Sequence, residues 1–109
     1  MEIASWSDFE KILLCAGTIL RIEAFPEARK PAWKLWVDFG PYGVRKTSTQ
    51  IRDLYWGTDL TGKRIADMIN FAPKQAGSFT SEFLLTGFPT EHGVAITTLE
   101  REVPNGLNP

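Results

Sequence analysis

The sequence contains little of the chemistry that enzymes and metal proteins usually require. Its 109 residues include one cysteine and one histidine. One cysteine cannot form an internal disulfide, and Cys15 lies in an apolar run that favours a small buried residue. His92 lies in the segment TEHG, which is typical of an exposed turn, and neither residue has further ligands at metal-binding spacing. We therefore predict no metal, no cofactor and no Cys–His nucleophile.

Long apolar runs are also missing. No stretch approaches the roughly 18 residues of a membrane-spanning helix, and the N-terminus lacks the charged region and apolar run of a secretory signal. These absences predict a cytoplasmic protein without membrane insertion. No glycine-rich phosphate loop is present, and the carboxylates are scattered as solubilising residues usually are. The sequence therefore favours a binding protein over an enzyme.

An excess of one charge sign is missing as well. The formal net charge is −1, which excludes the global basicity of many nucleic-acid-binding proteins. The charge is uneven, however, because residues 21–52 contain seven basic and three acidic residues and carry a net charge of +4. A local basic face is therefore expected. Four tryptophans in so short a chain also predict that some aromatic rings are exposed or lie at a contact.

The N-terminal segment WSDFEKILLCAG predicts a short helix. Ser7 and Glu10 have the spacing of a capping box, and Asp8 suits the first turn of a helix. Gly17 is expected to end the helix, because a period of two residues begins directly after it.

Two strands with alternating faces are predicted next, over residues 18–25 and 32–40. Trp36 lies on the outer face of the second strand and is the better candidate for a surface contact. Core packing is the preferred interpretation of Trp33. The inward face of this strand is predicted to carry Trp33, Leu35, Val37 and Phe39.

The rest of the chain shows short strands separated by turns. Strands are predicted over residues 44–51, 64–71 and 94–99, with a short extended run over 82–88. A helical turn and loop are predicted over 52–63, and turns or breaks over 41–43, 72–81 and 89–93. Five or six strands without a repeat or a βαβ alternation predict one all-β domain over residues 1–109, built as a small β-barrel. Side chains fill such a barrel, so function is expected on an outer strand face and its loops.

The third strand, RKTSTQI, is too polar for the centre of a hydrophobic sandwich. It is either a solvated edge or a ligand-facing strand that offers hydrogen-bond donors. Lys46, Ser48 and Gln50 share one face, and amides, hydroxyls and cations of this kind bind phosphates and bases. A nearby segment adds aromatic and polar residues that suit single-stranded or looped RNA: Asn70, Phe71, Lys74, Phe79 and Ser81.

Five ordered segments of the chain resemble the CsaA family: FPEARKPAWKLWVDFG, RKTSTQI, GKRIADMINFAPK, GSFTSEFLLTGFP and VPNG. Members of this family are small secretion-related chaperones built on the tRNA-binding OB-fold domain that is also appended to methionyl-tRNA synthetases. The resemblance covers the chain from about Phe9 to Gly106. It implies a five-stranded OB barrel with an N-terminal helix, a symmetric homodimer, and binding of unfolded or precursor polypeptides or of structured tRNA.

The resemblance also implies candidate site residues. The residues expected to contact RNA are Lys34, Arg45, Lys46, Ser48, Gln50, Asn70, Lys74, Ser81 and Glu82. Arg29 and Lys30 are expected as cations on the rim, in the proline-stiffened loop between the first two strands. The residues expected to contact peptide are Trp36, Phe71, Phe79 and Phe83. The residues expected at the dimer interface are Trp6, Val103, Pro104 and Leu107.

One departure from the family pattern affects the choice of ligand. Family members that bind tRNA often have Gly-Met after the Ser-Glu pair, whereas this chain has Phe83 and Leu84. Together with the sequence pI of about 5.8, this substitution favours a peptide site over a tRNA site. A polypeptide-binding chaperone is therefore the preferred hypothesis, a tRNA-binding module is the second, and an accessory subunit that binds another protein is the third.

Overall fold

The computed structural model describes residues 1–50 and 57–109. The helices are α1 (Trp6–Glu10), a 3₁₀ helix (Gly40–Tyr42) and α2 (Gly57–Leu60). The strands are β1 (Leu14–Ala24), β2 (Trp33–Asp38), β3 (Val44–Thr49), β4 (Arg64–Met68), β5 (Lys74–Ala76), β6 (Phe79–Ser81), β7 (Gly87–Thr90) and β8 (Gly93–Ile96). Among these residues no helix is long and apolar enough to cross a membrane.

An antiparallel sheet with the strand order β3-β2-β1-β4 forms most of a barrel. The segment that begins with β6 connects its two edges. The N–H of Glu82 donates to the carbonyl of Lys46 on β3 over 2.7 Å, and the N–H of Leu84 donates to the carbonyl of Met68 on β4 over 3.0 Å. This closure gives five strands in the order of an OB-type barrel, which confirms the predicted fold class.

The barrel interior is filled as the alternation in β2 predicted. Leu35, Val37 and Phe39 are completely buried, and Trp33 packs against the same cluster. In β1 the alternation is interrupted by a bulge between Ile19 and Arg21. The bulge leaves Leu20 exposed and lets Ile19 and Ile22 both contact the core, which strict alternation does not allow.

The N-terminal prediction was wrong in its details. The capping box is formed by Ser5 and Asp8, whose side chains each accept a hydrogen bond from the other's backbone N–H, and the helix ends at Glu10. Strand β1 already begins at Leu14, because pairing with β4 buries the following residues. Gly17 lies within this strand. A Cβ atom there would lie 2.7 Å from the ring of Phe39, so close packing explains the glycine.

The second half of the chain contains two hairpins where sequence patterns predicted breaks. Residues 72–81 include the β5–β6 hairpin, which turns at Gly77 with a φ of 61°. The predicted turn over 89–93 lies in the β7–β8 hairpin, so β8 begins at Gly93 and ends at Ile96. The predicted helical turn over 52–63 is present as α2 from Gly57, and its first residues lie outside the described part of the chain, as does Ile51 of the predicted third strand.

The C-terminal tail is ordered on the barrel of its own chain. The N–H of Gly106 donates to the carbonyl of Ala16 over 2.7 Å, and the N–H of Ala16 donates to the carbonyl of Leu107 over 2.9 Å. The hydroxyl of Thr18 also donates to Asn105 Oδ1 over 2.8 Å. The tail therefore extends the sheet beside the start of β1, where β2 has not yet begun to pair.

Candidate functional site

A groove of about 990 Å³ lies on one side of the barrel. One wall is the loop between β1 and β2, and the opposite wall is the β5–β6 hairpin with the residues that precede it. The end of β3 from Thr47 to Thr49, together with Gln50 directly after it, lies between the two walls, and residues 83–85 complete the lining. The same loops border the ligand-binding face of OB barrels in general.

The groove is mainly apolar with few charges. Phe71 is 47% exposed and Leu84 is 48% exposed, so both present apolar surface that the fold itself does not cover. The charged lining residues are Glu27, Arg29 and Lys74. Two cations and one carboxylate make a weak positive charge, which is far from the dense positive lining of a strong phosphate site.

The polar residues beside the groove are largely engaged within the fold. Ser81 Oγ accepts a hydrogen bond from the N–H of Ser48 over 3.1 Å, and Glu82 Oε1 accepts one from the N–H of Lys46 over 3.1 Å. The hydroxyl of buried Thr47 donates to the carbonyl of Phe83 over 3.0 Å. Ser81 and Glu82 therefore help to close the barrel, a structural role that their positions in the motif did not reveal.

The outer face of the sheet carries a second set of predicted residues, arranged as cations over aromatic rings. Lys46 Nζ lies 5.1 Å and Lys34 Nζ 5.2 Å from the ring centre of Phe79, which is almost completely buried. The guanidinium of Arg21 lies 3.9 Å from the ring of Trp36. Phe79 and Trp36 pack in a small second core, so they anchor the β5–β6 hairpin to the sheet.

Asn70 and Arg45 lie in a shallower depression next to the groove. Asn70 Oδ1 accepts from the N–H of Leu13 over 2.8 Å, and its amide nitrogen donates to the carbonyl of Lys11 over 2.7 Å. Arg45 Nη1 donates to the carbonyl of Ile69 over 2.7 Å. Asn70 therefore fixes the chain between α1 and β1. Both side chains already form hydrogen bonds within the fold.

The structure thus separates the predicted site residues into groups. The predicted residues that line the groove are Arg29, Ser48, Gln50, Phe71, Lys74, Ser81 and Phe83. Phe83 is buried in the main core, with its ring centre 5.0 Å from that of Phe39, so little of it reaches the groove surface. Lys30 is exposed on the loop between β1 and β2 but is not part of the lining.

The residues predicted at a dimer interface lie at the two chain ends. Trp6 is 80% exposed, and Leu107 and Pro104 are also exposed, whereas Val103 is half-buried. Trp6 makes an edge-to-face contact with Phe9, whose ring is partly exposed as well. Apolar surface of this kind is what an interface would cover.

Sequence reasoning missed two features near the site. Leu84 was considered only as a departure from a family pattern, although the apolar spacing in EFLLTGF could have placed it on the surface.

Asp67 is the second feature. It is completely buried, and burial raises its pKa to about 7, an effect that hydrogen bonds from Thr86 oppose. Burial also raises the pKa of the Cys15 thiol against the opposing charge of Arg45. Within residues 1–50 and 57–109, no three His, Cys, Asp or Glu side chains cluster as metal ligands.

Comparison with known proteins finds two kinds of similar protein, CsaA chaperones and methionine–tRNA ligases. The chain is 38% identical to the chaperone CsaA of Bacillus anthracis str. Ames, whose crystal structure it matches with a TM-score of 0.91 over 98% of both chains. It is 36% identical to the CsaA chaperone protein of Picrophilus torridus, with a TM-score of 0.90 over 97% of this chain and 98% of that one.

A methionine–tRNA ligase is also similar. The enzyme of Methanocaldococcus jannaschii is 30% identical over 107 residues, which are 97% of this chain. The chain spans only 16% of the length of that ligase, so the similarity concerns one part of it. No protein-family model matches the chain.

Proposed function

This chain belongs to the CsaA family of OB-fold proteins, and from that premise we propose that it is a chaperone without catalytic activity that binds apolar segments of unfolded or precursor polypeptides. The observation that carries the proposal is the groove. Phe71 and Leu84 are each about half exposed there, on a surface with two cations and one carboxylate. Such a surface suits the apolar side chains of a polypeptide, because their burial against Phe71 and Leu84 is favourable. The phosphates of RNA would find few cations to pair with there.

The proposal includes a cytoplasmic homodimer that acts on proteins before export. Support for the dimer comes from the exposed apolar residues at both chain ends, among them Trp6, Phe9 and Leu107. A symmetric dimer uses the same surface patch of both copies, so these residues would be covered together. Two copies would also present two grooves, which strengthens the capture of a long unfolded chain through avidity.

Binding of a fluorescently labelled unfolded polypeptide tests the chaperone function. The double variant Phe71→Ser with Leu84→Ser removes the exposed apolar surface of the groove and is expected to weaken binding about tenfold or more. Phe88→Ser is the matched control, because Phe88 is 58% exposed on β7 and does not line the groove. Equal weakening in both variants, or no binding by the unaltered protein, would contradict the proposal.

A second candidate function is tRNA binding by the cationic outer face of the sheet. It is favoured by the methionine–tRNA ligase relatives and by Lys34 and Lys46, which flank Phe79 on that face. The double variant Lys34→Ala with Lys46→Ala would then weaken tRNA binding and reduce its salt dependence by about two phosphate contacts. An affinity for tRNA that is unchanged in this variant would exclude the outer face as its site.

A further inference from the structure

One edge of β3 is closed along most of its length by the segment that completes the barrel. Both backbone groups of Lys46 are occupied by Glu82, since its carbonyl accepts from the backbone N–H and its N–H donates to the carboxylate. The N–H of Ser48 donates to Ser81 Oγ. These groups point away from β2, whose ladder with β3 uses the residues between them.

The same edge is open where β3 enters the groove. Extended backbone repeats its hydrogen-bonding directions every second residue, so the carbonyl of Ser48 and the N–H of Gln50 follow in the same series. Neither group has a hydrogen-bond partner among the residues that the structure describes. Ser48, Thr49 and Gln50 all line the groove, so this acceptor and this donor are next to the space that a ligand would fill.

We propose that the groove holds its polypeptide as an added strand, which runs parallel to β3 and pairs with this open edge; the inference rests on the proposed chaperone function. One residue of the incoming segment, opposite Thr49, donates its N–H to the carbonyl of Ser48 and accepts a hydrogen bond from the N–H of Gln50. The parallel direction is favoured because one residue of a parallel strand can pair with both open groups, whereas an antiparallel residue opposite Ser48 would need the N–H that Ser81 already occupies.

The surroundings of the open edge favour a polypeptide over RNA. A carbonyl and an N–H that point to the same edge are complementary to the N–H and the carbonyl of one residue in an extended peptide, whereas recognition of RNA relies on stacking, on base edges and on phosphate charge. The adjacent apolar surface of Phe71 and Leu84 suits an alternate side chain of the added strand. Arg29 and Lys74 outnumber Glu27, so the bound segment is apolar with an acidic rather than a basic flank.

Backbone-modified peptides test this binding mode without altering the protein. The probe is a fluorescein-labelled peptide of roughly ten residues with alternating valine and serine and one terminal aspartate. A series of peptides with a single N-methyl group, moved one residue at a time, removes one N–H in each member. We expect N-methylation at one position, or at positions two residues apart, to weaken binding about tenfold. N-methylation at the neighbouring positions is expected to have little effect. Exchanging the aspartate for lysine is also expected to weaken binding.

A protein variant provides the complementary measurement. Gln50→Pro removes the N–H donor, whereas Gln50→Ala keeps it, so only the proline variant is expected to lose about tenfold in affinity for the same peptide. Circular dichroism shows whether the proline variant folds; if it does not, protection of the Gln50 amide from hydrogen exchange in the peptide complex gives the same information. Tight binding of every N-methylated peptide, with no protection of Gln50, would overturn the added strand and leave the chaperone function standing. Failure of all peptides, or binding of tRNA alone, would overturn both.

Discussion

The carboxylate of Asp67 is completely buried, and its Oδ1 accepts a 2.6 Å hydrogen bond from the backbone N–H of Thr86. Its second oxygen has no hydrogen-bond partner among the described residues. This contact fixes the chain between the strand that closes the barrel and the β7–β8 hairpin. A buried carboxyl with one partner retains its proton more readily than an exposed one, which is why its pKa lies at about 7.

The stability of the protein is therefore expected to fall as the pH rises towards neutrality. The unfolded chain releases the Asp67 proton near 3.8, whereas the folded protein keeps it up to about 7. The contribution of Asp67 is complete below the lower value, decreases by up to about 1.4 kcal/mol per pH unit between the two values, and levels off above the higher one. Asp67→Asn keeps the acceptor for Thr86 and removes the titration.

Urea unfolding at about pH 5 and about pH 8 measures this effect. The asparagine variant is expected to exceed the unaltered protein in stability at the higher pH, and the difference is expected to shrink at the lower pH. Parallel pH profiles for the two proteins would show that Asp67 is charged or solvated in the folded state.

Phe71 and Phe83, two aromatic residues of the predicted peptide site, differ in what they stabilise. Phe83 is buried against Phe39, so Phe83→Ala is expected to cost about 3–5 kcal/mol through lost burial and a cavity. Phe71→Ala removes an exposed ring and is expected to change stability by about 0.5 kcal/mol or less. Urea midpoints compare the two variants, and similar costs would contradict the described burial.

The tail depends on a glycine that contacts the barrel. Gly106 has a φ of 89°, and a Cβ atom there would lie 2.6 Å from the carbonyl oxygen of Phe39. Gly106→Ala is therefore expected to displace the tail and to destabilise the protein by about 1–3 kcal/mol. Gly62→Ala is a matched control, because Gly62 has a φ of 87° and no neighbouring atom within 4 Å.

Hydrogen exchange at Ala16 checks the tail directly. Its N–H donates to the carbonyl of Leu107, so exchange at Ala16 is expected to accelerate in Gly106→Ala and to remain slow in Gly62→Ala. Slow exchange at Ala16 in both variants would mean that the tail is not displaced, and that backbone strain rather than the contact with Phe39 accounts for the glycine.

The proposed dimer gives a separate prediction. Trp6→Ser with Leu107→Ser removes two exposed apolar residues from the chain ends and is expected to shift sedimentation towards the monomer at micromolar concentration. Phe88→Ser removes a comparable exposed ring elsewhere and is expected to leave the association unchanged. A monomeric unaltered protein, or a dimer that both variants retain, would remove the chain ends from the interface.

Much of the fold was predictable because burial imposes regular spacing. The alternation in β2 correctly identified Leu35, Val37 and Phe39 as core residues, and the ordered family motifs identified the OB barrel. The start of β1 was not predictable from local preference. Leu14 and Ala16 favour a helix by intrinsic propensity, and only pairing with β4, which is distant in sequence, makes this segment a strand.

The groove was harder to predict than the fold, because it depends on contacts between distant segments. Nothing local to Phe79 shows that Lys34 and Lys46 lie over its ring, or that Ser81 and Glu82 bond to β3. Polar residues in a motif look alike whether they meet a ligand or close a barrel. Only the fold separates exposed Phe71 from buried Phe83.

Photo-crosslinking from within the groove tests most sharply whether the groove binds polypeptide. A benzophenone amino acid replaces Ala76, which is exposed and lines the groove, and in a control it replaces Phe88 outside it. The protein is offered equal amounts of an unfolded polypeptide and tRNA, and the crosslinked product is identified by mass spectrometry. Polypeptide adducts are expected from position 76 and few from position 88. Adducts with tRNA at position 76, or equal polypeptide adducts at both positions, would show that the groove is not the polypeptide site.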